Sequence, residues 1–506
     1  MNLKLLACCS LFTFSCFSQT SYDAMNFGMT DLVGGARFVS MGGAFTALGS
    51  DLSSFNLNPA GAGVKKTNAF AGTIALNTTR NESTFLSKAF KSTKNVLSLP
   101  SFVYVGVNNA YKSPTYTSDW DRFNFSFGLQ RTNNLNRMLS FSGHHNGKSY
   151  INTLKDNAQA QYDNGEELTQ DQWEYLAYQT LLLNQNLKGN YYSVLADDGQ
   201  TTDYNYQSSG SGQEVMLTLS TSYKEKLYLG VGFGFPILVQ STDEKLIESN
   251  FEFPDAITIG DPSNEPTNSI EAQFSHIKNL IGTGVKSTVG AIYKITPALR
   301  LGASYHTPCV LNIEEFTSAQ VNSFFDNNQS FFIDYSGYSY FDLKIPSKSN
   351  IGLAYVFKKK GLLSIDYQYT NLRGLKYQVP HLDINEDYFE FVNADIKASL
   401  GESHVVKFGG EYNLKPFRLR AGLALQNSPY QHYDDFSSRT YSGGLGYSNK
   451  EFYIDFAYTY MQRNETLSIY RSDSGVDVPT SLAIQDKFRE TQILLTIGYK
   501  LIHLPR

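Results

Sequence analysis

The sequence predicts an all-β protein, a transmembrane antiparallel β-barrel of about 14 strands with an N-terminal plug (hatch) inside the lumen. Three observations carry this. Apolar and polar residues alternate with a period of two in run after run, as in LYLGVGFGFPIL (227–238), LLSIDYQYT (362–370) and FRLRAGLALQ (417–426). The connections between runs are either very short, as in YKEKL and FKKKGL, or tens of residues long. The apolar face is rich in aromatics, as strands that cross lipid interfaces require.

Composition agrees. The 506 residues include 34 Tyr and 35 Phe, aromatics reach 14%, and charged residues stop at 18%, below the usual quarter. The net charge of −5 comes without a basic block, so nucleic acid is not an expected partner. The mean hydropathy of −0.30 excludes a bundle of membrane-spanning helices.

Residues 1–19, MNLKLLACCSLFTFSCFSQ, read as a secretory signal peptide cleaved near Ser18 or Gln19. A lipoprotein alternative at Cys16 is weakened by Thr13, which stands where an aliphatic residue is expected. Beyond this segment only Cys309 remains, so disulfides do not hold the fold.

Residues 20–64 lack the period of two and mix small residues with apolar anchors such as Phe45 and Phe55. A barrel of this size must be filled or it is a pore, and this segment is the expected filling. Gly42 and Gly43 allow tight turning, Asp51 is the one formal charge in the stretch 40–61, and Asn58, Pro59 and Ala60 form a turn.

The barrel is expected over 65–506. Fifteen runs qualify as strands, one too many for an even-numbered barrel. The weakest, RMLSFSGHHNG at 136–146, is assigned to an external loop, which leaves fourteen with both ends periplasmic. A helical insertion is expected at about 132–212. Within it LTQDQWEYLAYQTLLLN offers Thr169 and Gln172 as a capping box, and Trp173, Leu176 and Leu181 on one apolar face. That face either packs on the barrel rim or catches apolar ligands outside the cell. Inward charges such as Asp366, Glu411 and Asp455 suit a hydrated lumen, while Arg418 or Arg420 could meet a carboxylate headgroup.

The stretch ARFVSMGGAFTALGSDLSSFNLNPAG resembles the N-terminal plug of the outer-membrane long-chain fatty acid transporter family (FadL/OmpP1/TodX), in a Bacteroidetes-type form. The match rests on Ala36, Arg37, Met41, Gly42, Gly43, Ala44, Asp51, Asn58, Pro59 and Ala60. AIYKITPALRLGASYHTP (291–308) resembles a later strand–turn–strand of the same family. The resemblance implies an outer-membrane channel for passive uptake of hydrophobic molecules, with long-chain fatty acids as the default class. Ligands would be caught by extracellular loops, pass to an internal pocket, and be released by movement of the plug. Phe45, Phe55, Trp173, Leu176, Leu181, Arg418 and Arg420 are the ligand-binding candidates. The expected partners are hydrophobic small molecules and outer-membrane lipid. The alternative is a non-transport barrel subunit of a surface secretion or attachment system, with secretion-system proteins as partners.

No catalytic residue, cofactor or metal is assigned. GTGVKST (282–288) lacks phosphate-loop spacing, and DINED (383–387) has Tyr388 where a calcium loop needs Gly. His144 and His145 diverge as neighbours and show no partner cluster. No G-x-S-x-G or H-E-x-x-H occurs.

Overall fold

In the computed structural model the chain forms one closed sheet around a short filled N-terminal segment. The structure describes residues 19–110, 118–193, 199–251, 269–380, 389–431, 436–468 and 483–501. The signal peptide before Gln19, its cleavage near Ser18, and DINED all lie outside the described residues.

The N-terminal segment holds α1 (Ser21–Gly28), α2 (Ala36–Ser40), a 3₁₀ turn (Leu52–Phe55) and α3 (Ala60–Gly63). The wall follows with β1 (Asn68–Phe85), β2 (Lys88–Asn109), β3 (Trp120–Asn134) and β4 (Arg137–His145). Then come α4 (Tyr150–Asp163), α5 (Trp173–Gln179) and the small pair β5 (Leu183–Gln185) and β6 (Tyr191–Ser193). The next strands are β7 (Gln200–Tyr223), β8 (Leu227–Ser249), β9 (Ser269–Lys294), β10 (Leu299–His306) and β11 (Cys309–Phe325). β12 (Ser330–Ile345), β13 (Lys348–Phe357), β14 (Gly361–Asn371) and β15 (Lys376–Gln378) precede α6 (Glu390–Ser399). The wall ends with β16 (Glu402–Leu414), β17 (Phe417–Gln426), β18 (Ser438–Ser448), β19 (Phe452–Ser468) and β20 (Ala483–Leu501).

Fourteen antiparallel wall positions result, because several of these pieces are one strand broken in line. β9 pairs with β10 below and with β11 above, and β10 and β11 pair with β13 and β12 in turn. The breaks fall at Pro308 and Pro346, which have no N–H to give a ladder. A 3₁₀ turn at Leu372–Gly374 separates β14 from β15 in the same way. β20 closes on β1 from Asn68–Leu501 to Thr84–Gln485.

The reading of 136–146 as a loop is corrected. Arg137–His145 is β4, which continues the line of β3 and pairs with β7. Its alternation is reversed, with Leu139 and Phe141 turned inward and Ser140 and Ser142 outward. That pattern belongs to a strand standing above the membrane in water.

The same reversal runs through the long strands. β9 has 26 residues where a span needs about 9–11, so the wall rises well beyond the bilayer. On β8, Leu229, Phe233 and Phe235 face lipid lower down, while Ser241 and Asp243 face outward higher up. Inside this tower α4 and α5 pack on the wall, with Ile151, Leu154, Leu176 and Leu182 against Phe85, Phe141, Phe274 and Phe325. Only α5 was legible from the sequence. α4, capped by Ser149, buries just Ile151, Leu154 and Ala158 among apolar residues, too thin a stripe to stand out.

Candidate functional site

The N-terminal segment is seated on the wall by its own backbone. Gly42 and Gly43 have φ of 63° and 72°, and Gly42 N donates to Ser442 Oγ at 3.1 Å. Thr46 N donates to Asp366 Oδ2 at 2.7 Å, and Arg300 and Ser304 of β10 donate to the carbonyls of Leu48 and Leu57. Such close approach needs a bare wall. A Cβ at Gly422 would collide with Gly42 N, and one at Gly290 with Asn58 Oδ1. Gly230, Gly302 and Gly409 meet Pro59, Thr46 and Met41 in the same way.

Asn58 is the knot of this seating. It is 1% exposed, and its Nδ2 donates to Thr46 O at 2.8 Å, Ala291 O at 3.2 Å and Ala303 O at 3.3 Å. Its Oδ1 accepts from Ala60 N at 3.1 Å and so starts α3. Asp51 caps the 3₁₀ turn by accepting from Ser53 N, and lies 3.9 Å from Arg37. Burial pushes the Asp51 carboxyl up, against the pull of Arg37.

Arg37 in turn joins a buried chain of charges in the wall. Its Nε lies 2.8 Å from Glu411, Arg420 Nε lies 2.8 Å from the same carboxylate, and Arg420 Nη1 lies 2.7 Å from Asp455. Arg420 is therefore held by two wall carboxylates, and Arg418 is half-buried nearer the short turns. Phe45 packs on Phe38 with Arg37 over its ring, and Phe55 sits among Ala69, Val103 and Met216. Trp173 and Leu176 lie far off in the tower, Trp173 with its ring 6.0 Å from Phe274, and Leu181 packs beside them. The structure thus brings Gly42, Gly43, Phe45, Asp51, Phe55 and Asn58–Ala60 together with Arg420, and separates them from the α5 residues.

Sequence reasoning missed a cavity of about 270 Å³ higher in the lumen. Tyr22, Tyr204, Tyr206, Tyr430, Phe436 and Leu467 line it, with Arg137 among them. Arg137 donates to Tyr22 Oη at 2.6 Å and pairs with Glu465 at 2.7 Å and Asp486 at 2.8 Å. Arg463 also holds Glu465, so two cations meet two carboxylates and the charge cancels. The signal was present in DYNYQ, where Tyr204 and Tyr206 share one face of β7. A smaller cavity of about 100 Å³, lined by Asp31, Phe38, Lys407, Arg463 and Glu490, lies between this space and the seated N-terminal segment.

His145 bonds to Thr202 and His144 to Thr201, so the pair diverges, and GTGVKST lies inside β9. Comparison with curated proteins finds no match. The crystal structure of a Pseudomonas aeruginosa FadL homologue aligns at TM-score 0.54 and 13% identity, over 93% of this chain and 99% of that one. That of the P. putida toluene transporter TodX aligns at TM-score 0.53 and 14% identity, over 94% of this chain and all of the other. At such identity these two show a common fold. The family profile described as outer membrane protein transport protein (OMPP1/FadL/TodX) matches residues 192–499, more than half the sequence, and the chain belongs to that family.

Proposed function

We propose that this outer-membrane barrel is a passive channel for hydrophobic molecules, and that the 270 Å³ tyrosine-lined cavity is where they rest. That cavity carries the reading, because most of its lining is aromatic or aliphatic, wall and N-terminal segment both bound it, and it stands above the seated segment. Its size bears on the substrate. A cavity of about 150 Å³ takes benzene, so this one suits a compact molecule of one or two rings. Long-chain fatty acids are the class that the family resemblance implies. A fatty carboxylate would need an uncompensated cation, and Arg137 is balanced by Glu465 and Asp486. The geometry therefore favours compact, uncharged ligands, in keeping with the toluene transporter among the similar structures. The external loops would admit the ligand, and a shift of α1 or the plug would release it.

The alternative, a secretion or attachment subunit, has one observation in its favour. The space at the Asn58–Ala60 turn is filled, and beside it Asn56 meets a wall carboxylate, Glu214, that is already paired with Lys286. Uptake of a radiolabelled one-ring aromatic by cells with and without the protein separates the two. A channel raises the initial rate, and a Leu467→Trp variant returns it to background. Equal uptake in both strains, with a stoichiometric protein partner on purification, supports the alternative.

A further inference from the structure

The lipid-facing side of the wall carries a groove that uptake does not use. On β16, β17 and β18 the outward positions Gly410, Ala421 and Gly443 pair directly across the ladder. Rows of large residues flank them, Tyr412, Leu419 and Leu445 on the short-turn side and Phe408 and Tyr441 on the other. A cavity of about 560 Å³ opens here, walled by Phe357, Leu363, Tyr412 and Leu419, with Lys360 at its lower end. The lumen glycines of these strands are explained by the N-terminal segment (Gly409, Gly422, Gly444) or by the Arg420–Asp455 pair (Gly446), but Gly410 and Gly443 are not. Neither has positive φ, and a Cβ at Gly443 would meet nothing nearer than 3.8 Å. Glycine weakens a strand, so two of them on the lipid face leave room for something outside the chain.

The second observation is charge. Lys358, Lys359 and Lys360 form the β13–β14 turn, and Lys415 stands in the neighbouring β16–β17 turn. All four are exposed and have no ion-pair partner among the described residues. Phe357, Tyr412 and Phe417 lie within a few residues of these turns, which sets the turns at the level of the lipid headgroups. Short turns face the periplasm, so the groove lies in the periplasmic leaflet.

We propose that this groove binds one anionic phospholipid of the periplasmic leaflet. An acyl chain lies over Gly410, Ala421 and Gly443, and the phosphate rests on Lys360 and its neighbours. An apolar slot that ends in unpaired ammonium groups matches that amphiphile and neither an alkane nor a free phosphate. The proposal is independent of what passes through the lumen.

The test is native mass spectrometry of the full-length barrel, stripped of lipid in mild detergent. It is then titrated with phosphatidylglycerol or phosphatidylcholine of identical chains. The expected result is one phosphatidylglycerol held at concentrations where phosphatidylcholine is not. Changing Lys358, Lys359 and Lys360 to Gln should lower its retention by about fivefold per lysine. Ala421→Phe, which fills the groove from the lipid side, should abolish retention while heat-modified gel mobility shows the barrel folded. Equal retention of both lipids, or wild-type retention by either variant, overturns the proposal. So does displacement by glycerol phosphate alone, or a dimer that Ala421→Phe dissociates.

Discussion

At the residue scale, Asn58 and Arg420 carry different loads. Asn58→Ala would strip a donor from the buried Thr46 carbonyl and from two part-buried wall carbonyls, and the acceptor from Ala60 N, with the two fully buried groups costing about 1–3 kcal/mol each. Amide exchange over residues 44–64 should then accelerate by tenfold or more, with the wall ladders unchanged. Gly290→Ala should give the same result, because its methyl would occupy the position of Asn58 Oδ1. If exchange in 44–64 stays at the wild-type rate, Asn58 does not hold the plug. Arg420 answers to the opposite logic. Arg420→Met leaves Asp455 buried without its guanidinium and should cost about 3–5 kcal/mol in denaturant unfolding. Adding Asp455→Asn should recover much of that loss, and no recovery would show that the pair is not the reason. The sequence made Asn58 legible through its Asn-Pro turn. It offered Arg420 as a ligand for carboxylates from outside, whereas Glu411 on the adjacent β16 and Asp455 two strands away on β19 already hold it, a pairing that only strand register reveals.

At the element scale, the N-terminal segment and the wall are complementary in shape. The segment's backbone and short side chains at Met41–Gly42, Thr46 and Asn58–Pro59 press on the wall, and the wall is glycine opposite each of them. Gly422→Val would drive a branched side chain into Gly42 N. In planar bilayers this variant should conduct small ions where the wild type stays closed, and a closed variant would mean that the seating tolerates displacement. Wall strands were legible because their alternation repeats over ten or more residues with aromatics on the lipid face. β4 was not, because above the membrane the polar face turns outward and the pattern inverts. α4 was not, because a helix lying in a tower of inward aromatics needs few apolar residues of its own.

At the scale of the whole molecule, the tube has three storeys. Paired charges and plug backbone fill the floor, a tyrosine-lined cavity lies above, and α4 and α5 pack within the tower over both. The plan could be read from the sequence. The cavity could not, since its lining comes from α1, β4, β7, β19, β20 and the segment around Tyr430, which only closure of the barrel brings together. The central claim is that this cavity takes compact, uncharged hydrophobic molecules. The most direct measurement is equilibrium binding of a neutral one-ring aromatic and of a sixteen-carbon fatty acid to the purified barrel, for wild type and Leu467→Trp. The account predicts that the aromatic binds the wild type more tightly than the fatty acid does, and loses tenfold or more in affinity to the variant. Tighter binding of the fatty acid, or aromatic binding unchanged by Leu467→Trp, would contradict it.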